Sequence, residues 1–180
     1  MDRSVLIVPG INNSDALHWQ TLWQAKHPHW QRLNARDWDQ VECEDWVETI
    51  EQHVQTLGPD TLIVAHSLGC LAVAHWAARS DHAAHIRGAL LVAVPDPASL
   101  SFPVSAASGF RHTPAQRFGF PCTVVSSSND PYATADYTQH WASTRGAEWV
   151  DIGAKGHVSS ANGLGGWLEG YQLLERLARH

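Results

Sequence analysis

Five short runs rich in valine, isoleucine and leucine recur along the chain: Val5–Pro9, Thr61–Ala65, Ala89–Val94, Cys122–Ser126 and Glu148–Ile152. Continuous apolar runs of this length mark strands covered on both faces, as in a parallel sheet clothed by helices. A sixth, thinner candidate lies at Gln31–Ala35. Between the runs stand segments of helical character: Asp15–Lys26, Asp45–Leu57, Leu68–Arg79, Ala133–Thr144 and Leu164–Arg179. In the second of these, Trp46, Val47, Ile50, Val54 and Leu57 recur at spacings of three and four, which gives one buried face. Gly58-Pro59 then stops that helix. The alternation predicts an α/β fold with a mostly parallel sheet of five to six strands, and right-handed crossovers place helices on both of its faces.

A chain of 180 residues suits one domain, here 1–180, large enough to bury roughly two-thirds of its unfolded surface. Ser108–Phe120, broken by Gly109, Pro114 and Gly119, is expected to form a loop with a short helix at the rim of the sheet, and no segment is long enough for a large lid domain. The formal charge of −6 is spread without a basic run, which argues against nucleic acid or an anionic membrane as a partner. No apolar run approaches the roughly 18 residues needed to span a bilayer, and the N-terminal run is too short for a signal-peptide core. Cys43, Cys70 and Cys122 are odd in number and lack metal-ligand spacing, so neither a disulfide framework nor a zinc site is indicated. Reduced thiols and the absence of a leader point to a cytoplasmic protein. Twelve histidines invite a metal reading, but they are scattered, with no H-E-x-x-H, and the expectation is of no metal and no cofactor.

In open α/β sheets the ligand crevice lies beyond the carboxyl ends of the strands. The residues at those ends here are Pro9-Gly10-Ile11-Asn12-Asn13, then Ser67, Pro95-Asp96-Pro97, Ser128-Asn129-Asp130-Pro131 and Gly153-Ala154-Lys155-Gly156-His157. Ser67 sits between a β-branched run and an alanine-rich helical run, where serine is a favoured helix N-cap. Ala65 and Gly69 at minus two and plus two support a second reading. The pattern is G-x-S-x-G with alanine for the first glycine, and an exposed nucleophile on a tight strand-to-helix turn needs small residues at those places.

Ser67, Asp130 and His157 follow three different strands in the chain order of the α/β-hydrolase arrangement. A serine hydroxyl is a poor nucleophile alone; a neutral imidazole must take its proton, and a carboxylate must hold that imidazole in the right tautomer. Asp130 before proline is equally a turn former, and Asp96 is an alternative acid because it also follows a strand. For the oxyanion, the expected donors are the backbone N–H of Leu68 and one from the loop after the first strand, either Ile11 or Asn12.

The segments VLIVPG, HSLG, SSSNDPY and GAKGHVSSANGLGGW resemble the small serine-hydrolase family of retinoblastoma-binding protein 9 and its bacterial YdeN-type relatives. The resemblance covers nearly the whole chain. It implies a minimal α/β-hydrolase without a lid domain, a triad of Ser67, Asp130 and His157, and no metal. It leaves the substrate open beyond a small-molecule ester, thioester or amide. His18 and Trp19 follow the oxyanion loop and either border the acyl pocket or pack the helix. Phe102, Phe110 and Phe118 are candidates for an apolar wall of a small, open pocket for short acyl groups. The competing reading is a binding module that keeps the fold without turnover.

Overall fold

The computed structural model describes residues 3–179, so the extreme ends of the expected 1–180 domain lie outside the described residues. A six-stranded sheet is built from β1 (Val5–Val8), β2 (Gln31–Arg32), β4 (Leu62–His66), β5 (Gly88–Val92), β7 (Cys122–Ser126) and β8 (Glu148–Asp151). Its order is β2-β1-β4-β5-β7-β8, and every neighbouring pair is parallel. The helices are α1 (Trp19–Lys26), α2 (Cys43–Leu57), α3 (Leu68–Ala77), α4 (Ala135–Thr144) and α5 (Leu168–Leu177).

The strand runs divide their side chains by the two-residue period of a pleated strand. Leu6, Val8, Ile63, Ala65, Ala89 and Leu91 face one core with α2, α3 and α4. Val5, Ile7, Leu62, Val64, Leu90 and Val92 face the other with α1 and α5. Both layers are buried, and each fully buried aliphatic side chain contributes about 1.5–3 kcal/mol relative to leaving it in water. On α2 the expected face is the buried one, through Trp46, Ile50 and Val54, and Gly58 ends the helix at φ 81°.

Several boundaries differ from those the periodicity suggests. α1 begins at Trp19 rather than Asp15, because Asp15 turns the chain by accepting from the Leu17 N–H at 2.8 Å, and the His18 side chain caps the helix by accepting from the Gln20 N–H at 3.2 Å. α5 begins at Leu168 rather than Leu164, since Trp167 stands at φ 33° and interrupts any earlier turn. β8 is not covered on both faces: it is an edge strand whose Glu148 and Asp151 are exposed. The Ser108–Phe120 region holds no short helix. Instead, Ala107–Ser108 forms a two-residue strand, β6, parallel to β3 (Val41–Glu42) in a small second sheet. Such a pairing depends on tertiary contact and leaves no periodic trace.

Candidate active site

β4 ends at His66 and α3 begins at Leu68, so Ser67 occupies the turn between them. It adopts φ 53°, ψ −125°, a backbone state that costs a non-glycine residue about 1–3 kcal/mol. Its hydroxyl caps nothing in α3, which removes the N-cap reading. The strained turn is held by the Ser67 N–H donating to Val92 O at 2.9 Å and the Cys70 N–H donating to Ser67 O at 2.9 Å. Close packing fixes it from beneath. A Cβ on Gly69 would lie 2.6 Å from the Val8 carbonyl oxygen and also collide with that of Pro9, while one on Gly10 would lie 2.9 Å from Ser67 Cβ. Only glycine lets α3 and the loop after β1 meet at the serine.

His157 Nε2 lies 2.8 Å from Ser67 Oγ, and His157 Nδ1 lies 3.0 and 2.9 Å from the two carboxylate oxygens of Asp130. The Asp130 side chain is 4% exposed and that of His157 17%, so the chain of bonds runs from interior to cavity. Asp130 also makes the turn its sequence suggests, accepting from the Tyr132 N–H at 2.9 Å, and this bond orients its carboxylate. Asp96 is not the partner: its Oδ1 accepts from the Ala98 N–H at 2.8 Å, and it makes no bond to His157.

The loop that carries His157 is tied to distant segments. Ser127 Oγ accepts from the Lys155 N–H at 2.8 Å, and Asn129 Oδ1 accepts from the Gly156 N–H at 2.7 Å. His66 Nε2–H donates to His157 O at 2.8 Å, and Trp19 Nε1–H donates to Val158 O at 2.9 Å. These four bonds give Ser127, Asn129, His66 and Trp19 a role that motif reading does not show, because their partners are backbone atoms remote in sequence.

A cavity of about 450 Å³ opens above Ser67, bordered by Gly10, Ile11, His18, Leu68, Phe102 and Tyr132 among others. Of the two candidate oxyanion amides after β1, that of Asn12 is already donated to Trp38 O at 2.8 Å, whereas the Ile11 N–H has no acceptor among the described residues. His18 borders the cavity; Trp19 does not, being 1% exposed and packed against Trp23 and Trp167. Only Phe102 of the three phenylalanines lines it. Phe110 is buried against Trp46, and Phe118 stacks on Phe120. Among the described residues, no group of three His, Cys, Asp or Glu side chains is placed to hold a metal ion, and no helix is long and apolar enough to cross a membrane.

Burial governs the titration of the groups around the serine. It pushes the His18 imidazole down to about 4, an effect that nearby Arg32 and His157 reinforce and Asp15 opposes. His66, fully enclosed, is held well below the ordinary range, first by burial and then by the charges of His157 and His18. Burial raises the thiols of Cys43, Cys70 and Cys122, so they stay protonated near neutrality and offer no competing nucleophile.

The lowered histidines have a consequence for stability. Because the folded state keeps His18 neutral, the unfolded chain binds more protons between about pH 6.5 and 4, and stability falls as pH drops through that window. Urea unfolding at pH 7.5 and pH 5 is expected to show a loss of about 2 kcal/mol from His18 alone. The loss is smaller in His18→Gln, and an unchanged loss in that variant would assign it to other groups.

Comparison with known proteins adds a second line of observation. The sequence model of a family described as serine hydrolase matches residues 5–176. The hydrolase YdeN of Bacillus subtilis (strain 168) is 31% identical over 97 residues, 51% of this chain and 50% of that protein, so the match spans about half of each. A crystal structure of a YdeN-like hydrolase from Pectobacterium atrosepticum superposes with a TM-score of 0.83 at 31% identity, covering 98% of this chain and 90% of that one. The ydeN gene product from B. subtilis shares the fold, with a TM-score of 0.75 at 24% identity over 99% of this chain and 100% of that one.

Proposed function

This chain belongs to the serine hydrolase family, and from that premise we propose that it cleaves small ester, thioester or amide substrates through a covalent acyl-enzyme. Ser67 Oγ attacks the substrate carbonyl carbon while His157 Nε2 takes the hydroxyl proton, giving a tetrahedral oxyanion. Asp130 keeps the proton of His157 on Nδ1, so that Nε2 is free to accept, and stabilises the imidazolium that forms. The backbone N–H groups of Leu68 and Ile11 are the assigned oxyanion donors. Leu68 begins α3, where the helix N-terminus favours negative charge, and Ile11 has the uncommitted amide of the β1 loop.

Collapse of the oxyanion breaks the bond to the leaving group, which takes the proton from His157. Water then attacks the acyl-enzyme with His157 as base, the acid leaves, and Ser67 recovers its hydroxyl. The working setting in this reading is the cytoplasm, with no cofactor, and the three free thiols accord with a reducing compartment.

The observation that carries the proposal is the unbroken chain Ser67 Oγ–His157 Nε2, His157 Nδ1–Asp130, ending on a serine in a strained turn. Treatment with a fluorophosphonate probe is expected to leave an adduct on the peptide containing Ser67, located by mass spectrometry and absent in Ser67→Ala. A folded protein that takes no label would instead support a binding module that keeps the hydrolase fold without turnover.

A further inference from the structure

His18 is the polar residue of the cavity whose bonding is incomplete. Its Nδ1 accepts from the Gln20 N–H, so in the neutral ring the hydrogen sits on Nε2. That Nε2–H is buried and has no acceptor among the described residues, although the ring borders the same cavity as Ser67. An unpaired buried donor costs about 1–3 kcal/mol, and one that persists calls for an explanation. The indoles of Trp46 and Trp141 also lack acceptors, but they lie in the apolar layer beneath α2 and α4, away from the cavity. Among the described residues, His18 is the one with a buried unpartnered polar atom that also lines the cavity holding Ser67.

The surroundings define what the donor meets. The His66 ring packs against both His18 and His157, with centroids 4.8 Å from the first and 5.0 Å from the second. Tyr132, which also borders the cavity, packs against His157 at 4.5 Å. Asp15 and Asp39 also border the cavity while, among the described residues, no lysine or arginine does, so the wall repels anionic acyl groups. The His18 ring itself stays uncharged near neutrality because burial disfavours its cation, and it offers an acyl carboxylate no ion pair.

We infer that His18 is a substrate-positioning residue, donating Nε2–H to an uncharged oxygen on the acyl chain, and that neutral oxygen-bearing acyl groups are the preferred substrate class. This rests on the acyl-enzyme reading above. A hydrocarbon chain leaves the donor unpaired, as in the free protein, whereas an ether, hydroxyl or keto oxygen satisfies it.

The test compares two p-nitrophenyl esters of matched shape, 3-methoxypropanoate and pentanoate, each rate normalised to its hydroxide-catalysed hydrolysis. The wild type is expected to favour the methoxy ester about five- to tenfold in kcat/KM, the range of one neutral hydrogen bond. His18→Phe, which keeps a ring and removes the donor, is expected to abolish that ratio. His18→Gln, whose amide nitrogen falls near the place of Nε2, restores most of it. A purely structural role for His18 lowers both esters together and leaves the ratio intact, which overturns the inference. A wild type labelled at Ser67 that shows no preference overturns it as well while sparing the hydrolase reading. A wild type that takes no label at Ser67 removes both.

Discussion

Ser67→Ala is expected to lower kcat on a short acyl ester by about 10⁶-fold, the size seen when a serine protease loses its nucleophile. The size follows from what the residue does: without Oγ no acyl-enzyme forms, and the remaining catalysis comes from the oxyanion donors and from binding. Adding a His157 substitution to Ser67→Ala costs little more, because a base with no hydroxyl to deprotonate has nothing to contribute. Stability changes little, since alanine keeps the φ 53° turn and loses only the bond to His157. Steady-state turnover of the purified variants, set beside their urea unfolding curves, separates the two effects. A loss of less than tenfold in a folded Ser67→Ala protein would move the chemistry to another group.

The second large effect is at the acid. Asp130→Asn is expected to lower kcat by about 10³- to 10⁴-fold with the fold intact. The asparagine oxygen can still accept from the Tyr132 N–H and preserve the turn. Its amide nitrogen, however, donates toward His157 Nδ1, which drives the imidazole hydrogen onto Nε2, where it blocks proton transfer from Ser67. Asp96→Asn changes the rate less than about threefold, because Asp96 is engaged with its own turn at Ala98. Kinetics of the two variants side by side distinguish the acids, and the reverse result would reassign the role.

The contrast between those carboxylates shows which features were legible in the sequence. Both follow strands and both stand next to proline, so spacing alone left Asp96 open; the structure separates them by orientation. The central strands were legible because burial on both faces demands unbroken apolar runs, and the ends of β4 and β7 delivered Ser67 and Asp130. Where the demand relaxes, so does the signal. β8, which precedes His157, sits at the edge with only Trp149 and Val150 half-buried between exposed Glu148 and Asp151, and β3 and β6 have two residues each.

The aromatic residues were the least legible. Trp19, Phe110 and Phe118 carry the same chemistry whether they line a pocket or fill a core, and a large apolar surface is drawn inside in either case. Seven of the nine tryptophans are buried, which gives that unusual content a packing role. The choice between Ile11 and Asn12 depended on a single bond to Trp38, twenty-six positions beyond Asn12, that no local pattern records.

The bonds that seat the histidine loop also bear on how the protein comes to be active. Ser67 and His157 are 90 positions apart, and Trp19 reaches across 139 to Val158. Contacts closing such long stretches of chain form late, after local structure is in place. A nascent chain emerging from the ribosome thus carries a serine with no base beside it until its last strand has paired. Under the acyl-enzyme proposal, completion of the fold is the safety catch, and an unfinished molecule has no means to attack the acyl groups around it.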